Sequence, residues 1–208
     1  SQRVKNFMNY QLMDQMKEYE PEFDQMLFNL PLAGSTFKKV YYDELMQRAV
    51  SKFVPADDLV VPYTATSLDD CESIIHTVRM TENELRKQQV GGFYRDIEVS
   101  PTHLNETEAE KKERALEGAS KGRDDRMFNI LECHTDIDLE GFEDIGQNGE
   151  PTGIKIPYIV TLEEGTRKVL SIRRNYEVGD PMKKKINYFV HFKFLPGLGF
   201  YGFGLIHM

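Results

Sequence analysis

The sequence offers four groupings of residues that could do chemistry. Gly197, Gly199 and Gly202, in Gly-Leu-Gly-Phe-Tyr-Gly, fit the G-x-G-x-x-G spacing and follow a strand-like run. In dinucleotide-binding proteins that spacing lets backbone approach a pyrophosphate at the start of a helix. Here Pro196 abuts the strand end, and the rings of Phe200 and Tyr201 crowd the phosphate position. The sequence also ends at Met208, short of the acidic residue expected about 20 residues further on. The competing expectation is a flexible, aromatic-bearing hinge between a strand and a helix. Asp136-Ile-Asp138-Leu-Glu140-Gly141 resembles the opening of a calcium-binding EF-hand loop, with Gly at its sixth place. Its fifth place is Glu rather than Asp or Asn, and its twelfth is Gln147, which cannot be a bidentate carboxylate. The residues leading in are strand-like, so a solvated acidic turn is the better account.

Cys133-His134 beside Glu132 and Asp136 suggests zinc. Neighbours on a strand point to opposite faces, however, so Cys133 and His134 cannot easily share one ion. His76, His103, His191 and His207 are scattered singly, and His191, between Val190 and Phe192, reads as a structural residue. Arg173-Arg174 and Lys183-Lys184-Lys185 are the notable basic clusters. They suit contact with a neighbouring chain or with DNA, or simply a solvated loop. No G-x-S-x-G, H-E-x-x-H or P-loop occurs, and nothing sets a nucleophile beside a base. No catalytic residue, cofactor or metal ligand is therefore assigned.

The composition narrows the classes further. Asp and Glu number 34 against 26 Lys and Arg, a net charge of −8 in 208 residues, which argues against a general DNA-binding surface. A chain of this length buries roughly 70% of its unfolded surface, enough for a core without staples. One domain, or one with a small insertion, is expected. No apolar run reaches the roughly 18 residues of a membrane span and no signal-peptide core opens the sequence, so it reads as soluble and intracellular. Two cysteines with no C-x-x-C read as reduced thiols. With no Trp, the 13 Phe and 10 Tyr are the large core formers.

Phe7, Met8, Leu12, Met13 and Met16 recur at helical spacing, so Arg3 to Tyr19 is predicted to be an amphipathic helix. Glu20-Pro21-Glu22 restarts a helix that Gly34-Ser35 ends. From Thr36 the period drops to two: Phe37, Val40 and Tyr42, then Val50, Phe53 and Val54, read as a hairpin. Pro55–Asp58 is a turn, Leu59-Val60-Val61 a short edge-like strand, and Ser73–Met80 a further strand. Thr81-Glu82-Asn83-Glu84 is a capping box opening a helix that Gly91-Gly92 stops. The charged stretch Pro101–Arg126 reads as a solvated helix or mobile insertion. Strands are predicted over Met127–Leu139, Ile154–Leu162, Lys168–Arg173 and Ile186–Phe194, with a Gly- and acid-rich loop over Gly141–Gly153 and a hairpin turn over Glu163–Thr166. Helices and strands segregate, which favours α+β: N-terminal helices followed by mixed or antiparallel sheet segments. Phe37, Val40, Phe53, Val60, Ile159, Val169 and Phe189 are expected in the core.

Several stretches resemble one family, the portal (head–tail connector) proteins of short-tailed bacteriophages. They are Phe28–Tyr41, Phe53–Tyr63, Met80–Arg86, Leu170–Tyr176 and, most specifically, Tyr188–Leu205, where aromatics and glycines interleave. The resemblance implies a structural, non-enzymatic subunit of a ring, commonly a dodecamer, at one capsid vertex of the virion, assembled in the host cytoplasm. It implies other portal subunits, terminase, scaffold and tail or adaptor proteins as partners, with double-stranded DNA passing during packaging and ejection, and no membrane. It also implies a fragment: residues 1–208 would be the wing-like α+β domain, ending where the first stem helix should begin. Gly197, Gly199, Gly202 and Gly204 would then be the hinge to that stem.

Overall fold

The computed structural model describes residues 2–43, 46–100, 112, 127–146 and 148–207. The charged stretch predicted over 101–126 thus lies outside the described residues apart from Lys112. The fold is α+β, with three α-helices and antiparallel sheets among the described residues. The chain forms two compact units, residues 1–74 with 176–208, and residues 75–175. Among the described residues no helix is long and apolar enough to cross a membrane.

In the first unit α1 spans Gln2–Tyr10 and α2 spans Tyr19–Ala33. The predicted single helix from Arg3 to Tyr19 is instead broken. Gln11–Gln15 is a wide π turn closed by Met16 N–H on Gln11 O, and Met16 then leaves helical geometry at φ −94°, ψ 69°. Of the predicted apolar stripe only Met16 is buried; Phe7, Met8 and Met13 face solvent. Gly34 ends α2 in the left-handed region at φ 81°, where a β-carbon is penalised. The chain turns at once into β1, Ser35–Asp43, which pairs antiparallel with β2, Arg48–Pro55, as the predicted hairpin. A single 3-10 turn, Ala56–Asp58, leads to β3, Leu59–Val60, which stands at the edge of its sheet. The last strand of the chain, β8 (Phe189–Lys193), returns to the other side of β1, giving the order β2-β1-β8.

The core of this unit gathers Phe37, Val54, Leu59, Ile74, Phe189 and Phe200. Phe37 and Phe189 are buried as expected, and Phe53 is partly so. Val40 is not core: it is 44% exposed, because only Ser35–Lys38 of β1 is covered on both faces. Val60 is 53% exposed because β3 turns Leu59 inward, and alternation then turns its neighbour out. Lys38 is buried instead. Its ammonium lies 4.3 Å and 5.0 Å from the ring centres of Tyr19 and Phe23, at the start of α2. Burial pushes its pKa below the ordinary lysine value, with the Glu22 carboxylate opposing that shift.

The second unit carries most of β4 (Ser73–Thr81), then α3 (Glu82–Val90), β5 (Met127–Ile137), β6 (Ile156–Glu163) and β7 (Val169–Arg174). Its strands lie in the order β4-β5-β6-β7, antiparallel from β5 onward. Leu85 of α3 joins Tyr94, Phe128, Ile130 and Leu170 in the core, while Ile159 and Val169 are only partly buried. The β6–β7 turn is organised by buried Glu163. Its two carboxylate oxygens accept from Gly165 N–H at 2.7 Å and from Thr166 N–H at 2.6 Å.

The predicted capping box is formed. Thr81 Oγ1 accepts from Glu84 N–H at 3.3 Å, and Glu84 Oε2 accepts from Thr81 N–H at 2.9 Å. Thr81→Ala removes the hydroxyl half and is expected to lower stability by about 1 kcal/mol. A urea midpoint unchanged from the wild type would contradict that role.

Candidate functional site

The most elaborate geometry surrounds Ser35, the first residue of β1. Its hydroxyl is buried, accepts from Gly202 N–H at 2.7 Å, and lies 3.1 Å from Nε2 of His191 on β8. Register explains the meeting. Ser35 stands opposite Lys193 and Phe37 opposite His191 in the β1–β8 ladder, and Phe194 N–H continues it by donating to Gly34 O at 3.0 Å. The His191 ring packs against two aromatics, 4.5 Å from Phe37 and 4.7 Å from Phe200, which themselves stack at 6.0 Å. Burial, and secondarily the charge of Lys193, pushes its pKa down to about 4. The imidazole is therefore neutral at pH 7.

Beyond β8 the chain closes on itself. Leu195 and Phe203 exchange backbone hydrogen bonds of 3.2 Å and 2.9 Å, enclosing Pro196–Gly202 as a loop. The glycines here serve close approach. A β-carbon on Gly204 would stand 2.3 Å from Leu32 O and 2.6 Å from Gly34 N; one on Gly202 would stand 2.6 Å from Gly34 O. One on Gly197 would meet Tyr201 O at 2.1 Å, whereas the position above Gly199 is open. The space a phosphate would need over Gly197 and Gly202 is thus filled by the protein's own backbone. The residues that follow form one 3-10 turn, Leu205–His207, and Gly204 N–H points to His207 Nδ1 at 3.0 Å. Phe200 is in the core, and Tyr201 Oη donates to Leu59 O at 3.4 Å.

The other predicted residues are dispersed. In the first unit Lys185 Nζ donates to Cys71 O at 2.8 Å, and Lys183 Nζ stands 5.9 Å from the Tyr176 ring centre. Asp180 organises that loop by accepting from Met182 N–H and Lys184 N–H, each at 2.9 Å. Those bonds hold its carboxyl below the usual carboxylate range. In the second unit Arg173 stacks on Phe93 with 3.4 Å from guanidinium carbon to ring centre, while Arg174 is exposed. Asp136 belongs to β5, and Gln147 lies outside the described residues. His134 is buried and bonded to Glu132 at 2.8 Å, with His76 Nδ1 4.0 Å from the same carboxylate. Cys133 is less buried than His134, as opposite-facing neighbours should be, and burial raises both cysteine thiols. Among the described residues no three His, Cys, Asp or Glu side chains gather to hold a metal. Sequence reasoning missed Ser35 and Lys38, since neither type nor spacing marks a serine or lysine whose partners lie far along the chain.

Two outcomes follow from this geometry. Gly204→Ala is expected to cost about 3 kcal/mol, since its new methyl meets only backbone, and Gly199→Ala less than about 0.5 kcal/mol. Equal urea midpoints for the two variants would contradict the close-approach account. His191 is neutral in the fold down to about pH 4 but protonates near its ordinary value of 6.5 when unfolded. The unfolded chain therefore binds more protons between those limits, and stability falls as pH drops from 6.5 to 4. His191→Gln is expected to flatten that part of the stability profile; an unchanged slope would contradict the burial of a neutral ring. No family model matches the chain, and no curated protein sequence matches it either.

Proposed function

We propose that this chain is the wing-like body of a phage or prophage portal subunit, a structural part of the ring through which DNA is packaged and ejected. The observation that carries the proposal is the meeting of the two longest family-like stretches. Phe28–Tyr41 and Tyr188–Leu205 form one ladder and one glycine crossing, joined by a buried bond between residues 167 apart. The net charge of −8 supports the reading as well, because tight phosphate binding would stall sliding DNA. In this reading the crossing fixes the route by which the chain leaves the wing, and terminase, scaffold and tail factors dock on the full-length ring.

The test is electron microscopy of the complete reading frame that contains this sequence. Rings with a central channel are expected, and the 208 residues alone should remain monomers or dimers in light scattering. A full-length protein that stays monomeric, or that binds NAD, ADP or ATP at micromolar concentration through the Gly197–Gly202 loop, would overturn the proposal.

A further inference from the structure

The first helix is left uncovered by the rest of the described residues. α1 buries none of its own: Val4, Phe7 and Met8 lie along one side and are mostly exposed. Arg3 and Lys5 flank that stripe, and the helix contains no acid. A helix of nine residues is marginal in water on its own, because its few hydrogen bonds barely offset the cost of nucleation. An apolar stripe on such a helix is the surface by which something else holds it.

α2 has the counterpart. Met26 is its buried residue, with Phe23 and Leu30 beside it partly buried, so its other side faces outward. That side carries the acids Glu20 and Asp24, then Leu27, Phe28 and Leu32, with Phe28 72% exposed. No Lys or Arg occurs in α2. Arg3, Lys5, Glu20 and Asp24 make no ion pair among the described residues. The order of the groups matches as well. Arg3 precedes Phe7 by four residues and Lys5 precedes Met8 by three, while Asp24 precedes Leu27 by three and Phe28 by four. Setting the two helices parallel therefore brings bases to acids and one apolar pair to the other at the same time.

We propose that α1 of one copy of this chain packs on the outer side of α2 of a second copy. The match is not made within one chain, where both surfaces stay exposed. A contact between two different faces leaves each copy one face to give and one to receive, so it repeats head to tail, as a ring contact does. The inference goes beyond the portal reading and does not need it. One helix on another is a small interface of the weak class, in keeping with monomers or dimers of the 208 residues alone. A lipid surface fits less well, since two bases on a chain of net charge −8 give little attraction to anionic headgroups.

Disulfide trapping reads a weak contact directly. The full chain carrying Phe7→Cys and an affinity tag is mixed with untagged chain carrying Leu27→Cys and oxidised with copper phenanthroline. The wild-type chain sets the background from Cys71 and Cys133. A tagged–untagged dimer, mapped by mass spectrometry to positions 7 and 27, is expected to form at least about fivefold faster than with Val178→Cys, an exposed position in the same unit, as the partner. Arg3→Glu with Lys5→Glu on the tagged chain should slow it by about fivefold, the scale of rim ion pairs turned into like charges, and Glu20→Lys with Asp24→Lys on the partner should restore it. Restoration by the second pair cannot come from a misfolded first one. Trapping no faster than with Val178→Cys, or indifference to the charge swap, would overturn the proposal. So would links between two Phe7→Cys chains in place of the 7–27 link, which would mean a symmetric α1 pair. Loss of the link on adding phosphatidylglycerol vesicles that carry the chain down on sedimentation would overturn it too, assigning α1 to lipid. Channel rings of the full-length protein without the link would sink this contact alone, whereas the link without rings would support it and sink the portal reading alone.

Discussion

Two backbones can pass as closely as Gly34 and the Gly202–Gly204 segment do only if β-carbons are missing on both sides. An added β-carbon on Gly34 would lie 2.4 Å from Gly204 N, and one on Gly204 would lie 2.3 Å from Leu32 O. The rest of the first unit follows from that crossing. It brings Ser35 to the Gly202 amide, seats β8 against β1, and carries Phe200 into a core with Phe37 and Leu59. The same contact joins the end of α2 to the last residues described, so distant parts of the chain are locked in one place. His191 then packs against both rings, and partial burial favours its neutral form.

The local structure was largely legible because it is written in local chemistry. Thr81 and Glu84 announce α3 through a box that needs only four consecutive residues. Gly34 marks the end of α2, and the alternation around Phe37 and Val54 marks the β1–β2 hairpin. Where the reading failed, the deciding neighbour was remote. Val40 and Val60 have strand-like spacing, but coverage of a face is decided by elements packed from elsewhere. Lys38 is buried against helical aromatics some twenty residues earlier, which no charge-based rule would place inside. The break after Tyr10 escaped for a different reason: Met16 keeps helical spacing with Leu12 and Met13 while its own backbone departs from the helix.

The candidate site illustrates how one glycine pattern supports two chemistries. The G-x-G-x-x-G spacing identifies a place where backbone must come close to something, and the sequence cannot say to what. Here the partner is the chain itself: Tyr201 O over Gly197, and Gly34 O over Gly202. The flanking Phe200 and Tyr201, which made a phosphate awkward, are the groups that anchor the loop to the core and to β3. Such a close-packed exit from a strand is consistent with the proposed role of holding a neighbouring segment in register. The basic residues, by contrast, separate into loop bracing at Lys185 and a pre-oriented cation at Arg173.

Amide hydrogen exchange at Gly202 tests most directly whether this crossing is part of the cooperative fold. The Gly202 N–H is buried on Ser35 Oγ, so it should exchange only through global unfolding, with protection matching the slowest amides of β1. Exchange of Gly202 at rates typical of an open loop, while β1 stays protected, would show a tail that detaches independently and would contradict the account.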